Sequence, residues 1–195
     1  MRTDQVSQKG EGKVIAVIDT GVDVSHPAFA GALASAPSMT AEAVAALTPQ
    51  LGDGKSGVYV NEKFPFAYDY AENDADVSPS VSHGTHVAGI AAGNADKIVG
   101  VAPEAQIIVA KVSRDGSRAI SDSALLAALD DMVLLRPDVI NLSLGWTAGM
   151  DNEADSVYAT VYKKLQDAGI TVDAASGNAF SAGYGNTSGR NLPYA

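Results

Sequence analysis

Four short apolar runs along the chain have the character of buried β-strands. They span Val14–Ile18, Gln106–Val112, Val139–Leu142 and Ile170–Ala175. Each run is rich in Val and Ile and shows little alternation between apolar and polar positions. That pattern is typical of parallel strands that are covered on both faces.

A helical pattern lies in each of the three intervals between these runs. These patterns span Ser82–Ala95, Ser121–Leu135 and Asp155–Ala168, and the first two begin with residues that favour a helix N-terminus. Gly169 follows the third and is a good C-cap residue. Strands that alternate with helices predict an α/β fold with a largely parallel sheet and right-handed crossovers.

The segment from about residue 30 to residue 79 interrupts this alternation. It contains a short Ala-rich helix pattern at Thr40–Leu47, several glycines, and an acidic run between Asp69 and Asp76. Apolar and aromatic residues recur throughout it, so we interpret it as a long insertion-like connection within one domain. The acidic run is typical of a solvated loop.

Composition narrows the class of protein further. The 195 residues, 46% of them apolar, suffice for one domain or most of a larger one. The net charge of −10 repels nucleic-acid phosphates, and no apolar run reaches the roughly 18 residues of a membrane span. The absence of cysteine excludes thiol catalysis, disulfides and thiolate metal sites. The polar N-terminus contains no apolar signal core, which fits either an intracellular protein or one whose signal has been removed.

Three motifs place chemically useful side chains at strand ends or at a helix start. Asp19 follows the first apolar run, His83 begins the first long helical pattern, and Asn178 follows the last run. Ligands bind at the carboxyl ends of the strands in open α/β sheets. A buried carboxylate orients an imidazole, and an amide can stabilise an oxyanion. These three residues suit those roles.

Five sequence blocks occur in the order that resembles the subtilisin-like serine proteases. The blocks are Asp19–Asp23 with His26-Pro27, His83–Gly89, Gly100–Pro103, Asn141–Gly145 and Ser176–Asn178, and the resemblance extends from about Gly10 onward. Two further stretches, Glu62–Tyr70 and Tyr184–Gly189, are similar to the cell-envelope subtilases of the lactocepin and complement-peptidase type.

The resemblance implies a three-layer subtilisin-like fold and a serine endopeptidase that hydrolyses polypeptides by acyl transfer. By position, Asp19 matches the triad aspartate, His83 the general base and Asn178 the oxyanion-hole amide. One substrate-binding edge corresponds to Ser143, Leu144 and Gly145, and the opposite edge to Gly116 and Ser117 near Asp115. The resemblance also implies a bacterial protein that is secreted or anchored at the cell surface.

The nucleophile block is the main departure from the family pattern. The family carries a Gly-Thr-Ser-Met-Ala type of block at a helix start, and this sequence contains none. In the cell-envelope relatives that serine follows an inserted protease-associated domain. We therefore expect residues 1–195 to be the N-terminal portion of a catalytic domain, incomplete at its C-terminal side, whose partner is the missing C-terminal part. Alone it should be inactive, since triad loss costs about a millionfold in rate.

Several individual positions carry expectations of their own. Asp173 falls inside a strand predicted to be buried, so it should have a partner, face a polar gap, or lie under the missing C-terminal part. The loop Gly93–Lys97 offers few oxygens for calcium, and no cofactor is expected. His86 is expected to pack on its helix, and His26 to cap or close a loop.

Three alternatives to a subtilisin-like protease remain at this point. The Asp-Thr-Gly sequence at Asp19 also occurs in aspartic proteases, although those are all-β proteins. His83, His86 and Asp19 could bind a metal, but no third ligand follows at metalloprotease spacing. The chain could also be a non-catalytic peptide-binding or complementing module.

Overall fold

The computed structural model describes residues 5–52, 57–145 and 157–178. The strands of the described part are β1 Val14–Asp19, β2 Phe66–Asp69, β3 Asn94–Ala95, β4 Ile98–Val99, β5 Gln106–Lys111, β6 Val139–Leu142 and β7 Thr171–Ala174. Five of them form one parallel sheet in the order β2-β5-β1-β6-β7, and β3 and β4 form a small antiparallel hairpin. The predicted α/β class with a largely parallel sheet is confirmed.

Four α-helices lie between these strands in the described part of the chain. They are α1 Ala41–Leu47, α2 His83–Ala92, α3 Asp122–Leu135 and α4 Val157–Asp167, with short 3-10 turns at Pro27–Phe29 and Thr48–Gln50. The hydroxyls of Thr40 and Ser121 accept hydrogen bonds from the first turns of α1 and α3, as expected of N-cap residues. α2 ends three residues earlier than predicted, because the chain leaves the helix at Gly93 and turns into the β3–β4 hairpin.

The sheet is covered on both faces, which makes three layers. Successive residues of a strand point to opposite sides, so Ile18 and Ile108 pack with α3 and α4, while Val17 and Val109 pack with α2. The two sides form separate apolar cores. The sheet therefore holds its strand ends, where the candidate site lies, between two packed layers of helix.

Strand β2 lies inside the segment that the sequence pattern assigned to an insertion-like connection. Its four residues are all buried, and it pairs with β5 in a register that aligns Phe66 with Ile108. The strand is short and follows Pro65, so its periodicity is too brief to be recognised without its partner. Its last residue, Asp69, is 1% exposed, so the prediction that the acidic run lies wholly in solvent is wrong there.

Strand β7 corrects the expectation of a buried strand around Asp173. Residues of β7 alternate between exposed and half-buried, and Asp173 is exposed. Within the described residues β7 pairs only with β6, and Val172 and Ala174 are the members that pack against the core. Asp173 lies on the other, open face, so its carboxylate is hydrated and its charge is not buried.

None of the described helices is long and apolar enough to cross a membrane.

Candidate active site

Strand β1 delivers Asp19 to the carboxyl edge of the sheet. The residue pairs in register with Lys111 of β5, and its side chain is 2% exposed. The backbone N–H of Thr20 donates to Asp19 Oδ1 at 2.7 Å, and the Thr20 hydroxyl lies 3.2 Å from the same oxygen. Burial and these contacts hold the carboxylate in one orientation.

His83 is the first residue of α2 and faces this carboxylate. Its Nδ1 lies 2.8 Å from Asp19 Oδ1, while its side chain is 49% exposed. An ionised carboxylate accepts hydrogen bonds, so this contact places the ring hydrogen on Nδ1. When the imidazole is neutral, Nε2 carries the lone pair, which is the arrangement that an imidazole needs to act as a general base.

Hydrogen bonds of Thr20 and the close approach of Gly84 hold the start of α2 against the turn that follows Asp19. The Thr20 hydroxyl donates to the carbonyl of Val81 at 3.1 Å and accepts from the N–H of Gly84 at 3.3 Å. A Cβ at Gly84 would lie 2.2 Å from the carbonyl oxygen of Gly21, so a larger residue would push the helix away from Asp19. Ser82 occupies the N-cap position but makes no side-chain cap, because Thr20 performs that function from another segment.

The other candidates lie at the same edge of the sheet. Ser143, Leu144 and Gly145 follow β6, and Asn178 follows β7 and is exposed. The side-chain amide of Asn141 donates to the hydroxyl of Ser143 at 2.9 Å. The structure joins Asp19 to His83 directly, and it places Asn178 two strands away at the same end of the sheet.

Gly116 and Ser117 lie in the loop after β5. The N–H of Gly116 donates to the hydroxyl of Ser80 at 2.8 Å, and the N–H of Ser117 donates to the carbonyl of Arg114 at 3.0 Å. Both N–H groups are therefore used within the chain. Main-chain hydrogen bonds from these two residues to a peptide would come from their carbonyl oxygens.

The remaining histidines lie elsewhere. The Nδ1 of His26 accepts from the N–H of Ala28 and begins the 3-10 turn at Pro27–Phe29, as predicted for a residue that caps a loop. His86 is exposed, so the expectation that it packs on its helix is wrong. Within residues 5–52, 57–145 and 157–178 no three acidic or histidine side chains cluster as a metal-binding group.

A broad groove of about 890 Å³ runs beside α2, starting next to His83 at Pro79 and Ser82. Its apolar lining residues are unusually exposed: Ile90 is 54% exposed and Val99 is 67% exposed, with Ile98 and Val101 beside them. Exposed apolar patches of this kind mark surfaces that another polypeptide covers. Gly89 also lies on this groove, with open space where a Cβ would be.

Sequence reasoning missed several residues around the Asp19–His83 pair. Thr20 and Gly84 belonged to recognised motifs but had no assigned role, and Lys111 and Asp69 were unassigned. Lys111 is only 1% exposed although it ends a strand. A lysine directly in line with a strand-end aspartate, at the same depth of a parallel sheet, is the signal that could have identified it.

Comparison with known proteins agrees with this geometry. Residues 10–193 match the family model described as the subtilase family. The chain is 34% identical to the PI-type proteinase of Lactococcus lactis subsp. cremoris, which covers 95% of this chain and 10% of that protein. It is 29% identical to the C5a peptidase of Streptococcus pyogenes serotype M3, over 90% of this chain and 16% of that protein.

A solved structure supports the same assignment. A cold-adapted subtilisin-like serine proteinase aligns with a TM-score of 0.60 and 27% identity, covering 90% of this chain and 50% of that one. This chain thus spans a tenth of the length of the lactococcal relative and half of the solved one. The predicted resemblance to the lactocepin and complement-peptidase type is confirmed, and the chain belongs to the subtilase family of serine proteases.

Proposed function

We propose that the chain is the N-terminal portion of a subtilisin-like catalytic domain that hydrolyses peptide bonds. The observation that carries this proposal is the contact of 2.8 Å between Asp19 and His83, at the carboxyl edge of a parallel sheet in a member of the subtilase family. An all-β aspartic protease does not fit this α/β fold. A metal site is not favoured, because no three acidic or histidine side chains of the described residues lie together as a metal-binding group.

In the proposed mechanism His83 moves a proton between a serine and the leaving group. Nε2 takes the proton of a serine hydroxyl as that oxygen attacks the scissile carbonyl, and Asp19 stabilises the imidazolium that forms. The amide of Asn178 donates to the oxygen of the tetrahedral intermediate. His83 then returns the proton to the departing amine. The serine belongs to polypeptide that this chain does not contain, so the isolated chain is inactive.

We also propose what covers the groove beside α2. Its occupant is the part of the same catalytic domain that carries the serine. Two facts support this choice: the groove is lined by Ser82, the residue directly before His83, and the chain covers half of the solved subtilisin-like relative. A segment that fills the groove would bury Ile90 and Val99 beside the helix that carries His83.

The relatives also support a location for the whole protein. Its similarity to the PI-type proteinase and the C5a peptidase supports secretion or anchoring at a bacterial cell surface. Its substrate class is then extracellular polypeptide. Surface labelling of intact cells with an antibody to this chain tests that location, and labelling only after lysis would contradict it.

Activity of the intact gene product tests the catalytic proposal. We expect hydrolysis of a peptide amide and labelling by a fluorophosphonate, with a loss of about a millionfold in His83→Ala and about ten-thousandfold in Asp19→Asn. Asp167→Asn removes an exposed carboxylate far from the site and should retain full activity. Residues 1–195 alone should show no turnover.

Two results would contradict this proposal. Burst acylation by residues 1–195 alone would show that the nucleophile is already present in this chain. An intact gene product that binds peptides with no hydrolysis, unaffected by His83→Ala, would favour the non-catalytic binding module.

A further inference from the structure

Lys111 is a buried cation directly beside the aspartate turn. It ends β5, pairs in register with Asp19, and has a side chain that is 1% exposed. Its aliphatic stem passes beneath Gly21, where a Cβ on that glycine would lie 3.1 Å from the Lys111 Cδ. A lysine is almost never buried this completely unless its charge is paired.

Two carboxylates pair with the Lys111 ammonium from different segments. Asp69 Oδ2, at the end of β2, lies 2.9 Å from Lys111 Nζ and is itself 1% exposed. Asp115 Oδ1 contacts the same nitrogen from the loop after β5, but the Asp115 side chain is 69% exposed. Burial alone would lower the pKa of Lys111, yet its hydrogen bonds to Asp115 and Asp69 raise it overall.

The Asp69 end of this arrangement is rigidly held. Asp69 Oδ1 accepts the N–H groups of Ala71 and Glu72 at 2.8 and 3.0 Å. The backbone of Asp69 also pairs with that of Asp74. The ammonium is therefore held on one side by a fixed, buried carboxylate, and on the other side it pairs with the carboxylate of Asp115.

The Asp115 end reaches the loop that resembles a substrate edge. Asp115 is followed directly by Gly116 and Ser117, and its Oδ1 lies 3.4 Å from the hydroxyl of Ser80. That same hydroxyl accepts the N–H of Gly116 at 2.8 Å. Ser80 in turn lies three residues before His83. A chain of contacts thus runs from the buried ammonium to the loop and to the segment that leads into α2.

We propose that Lys111 is a positioning residue that fixes the substrate edge at Gly116 and Ser117 through Asp115. The proposal rests on the proposed peptidase function and adds to it a determinant of peptide binding. The carbonyl oxygens of Gly116 and Ser117 can pair with a peptide only if the loop keeps one orientation, and the Asp115 carboxylate ties the loop to the buried Lys111 ammonium. Without that contact the exposed loop would become ordered only when the peptide binds, and the entropy lost in that step would weaken peptide binding.

Truncation of Asp115 is the sharpest test, because it removes the tie and leaves the buried Lys111–Asp69 pair intact. In the intact gene product, Asp115→Ala should raise the KM for a peptide amide of four or more residues about tenfold. Its kcat should stay within about twofold, since His83 and Asp19 are untouched. Asp115→Asn keeps an acceptor for the ammonium and should recover part of the loss.

A matched control and a short substrate separate positioning from a general structural effect. Lys163 and Asp167 form another i,i+4 ion pair, exposed on both sides, so Asp167→Ala should leave KM unchanged. A single-residue ester has no backbone to pair with the edge, so its kcat/KM should be the same in Asp115→Ala and wild type. In residues 1–195 the Gly116 amide should exchange with solvent faster in Asp115→Ala than in wild type.

Three results would overturn the proposal. The first is an Asp115→Ala protein with wild-type KM for the long peptide, and the second is an equal loss on the peptide and the ester. The third is an Asp115→Asn protein no better than Asp115→Ala. If wild type itself hydrolyses neither substrate, the proposed peptidase function fails instead, and the amide exchange of Gly116 still decides whether Asp115 holds the loop.

Discussion

Lys63 shows how a single buried charge is accommodated without a carboxylate partner in contact. Its side chain is almost fully buried, and its Nζ donates to the carbonyls of Pro103 and Ala105, each at 2.7 Å. Burial lowers the pKa of Lys63 from 10.5 to about 8, against an opposing effect of Glu104. A neutral amine still has two N–H groups, so both carbonyls keep their donors after deprotonation.

Because of the lowered pKa of Lys63, we expect the free energy of unfolding to rise with pH in alkaline solution. Between pH 8 and 10.5 the unfolded chain holds the Lys63 proton more tightly than the folded chain, so the free energy of unfolding increases with pH through that interval. The gain between pH 7 and pH 10 should be about 2 kcal/mol. Denaturant unfolding of wild type and Lys63→Met across this range measures it as a difference between the two proteins.

The comparison with Lys63→Met removes the contribution of all other groups that titrate in the same range. Because the methionine has no charge, the difference in unfolding free energy between the two proteins should grow with pH in favour of wild type. A difference that is flat, or that shrinks as the pH rises, would contradict the lowered pKa.

Candidate residues at a strand end or a helix start could be predicted, whereas the residues that contact them from other segments could not. Asp19 and His83 became candidates because of their positions, and their predicted roles came from the resemblance to the subtilisin-like proteases. Thr20 contacts Val81 and Gly84, which lie more than sixty residues along the chain. Lys111 contacts Asp115, which is near in sequence but reaches the ammonium only through the path of the loop after β5. Pairing of this kind depends on the folded register and leaves no local pattern.

At the scale of elements, β2 depends on an unusually close contact with the segment before it. The backbone of Val58 pairs with that of Ala67, which brings Gly57 against the ring of Phe66. A Cβ at Gly57 would lie 1.8 Å from that ring, and Phe66 is fully buried. The ring cannot move without disturbing the core, so a glycine is required at this position.

We therefore expect Gly57→Ala to destabilise residues 1–195 by about 1–3 kcal/mol through overpacking. Gly89→Ala is the matched control: Gly89 lies within α2 with nothing within 4 Å of its Cβ position. It should stabilise the same chain by up to about 1 kcal/mol through helix propensity. Chemical denaturation measures both, and equal effects of the two changes would contradict the close packing of β2.

Among the elements, those with their own periodicity or caps were predictable. β6 has the predicted bounds, and α1 and α3 begin beside Thr40 and Ser121 as expected. β2 was missed because four residues after a proline carry too little periodicity. The burial of β7 was misjudged because an apolar run shows that a strand forms without showing how many neighbours cover it.

At the scale of the whole molecule, the two faces of the sheet are covered unequally. One face carries α1, α3 and α4, whereas the other carries α2 and the turn at Pro27–Phe29 within the described residues. The groove beside α2 and the open face of β7 near Asp173 lie where covering is thinner. The resemblance implied a catalytic domain that is incomplete at its C-terminal side, but only the structure locates the exposed apolar surface.

Val99 and Val157 allow this surface to be tested with a matched pair of substitutions. Val99 is 67% exposed in the groove and Val157 is 61% exposed at the start of α4. In residues 1–195 both Val99→Lys and Val157→Lys should change the free energy of unfolding by less than about 0.5 kcal/mol, as exposed substitutions do. Val99→Lys should also reduce self-association in sedimentation velocity, since a charge breaks the apolar patch.

The intact gene product should respond to the same two changes differently. If the serine-bearing part of the domain packs into the groove, Val99→Lys places an ammonium in a buried interface, which costs several kcal/mol. Peptidase activity and thermal stability should then fall sharply in Val99→Lys and stay at wild-type values in Val157→Lys. Equal activity and stability in the two variants would show that the groove is not where the rest of the domain binds.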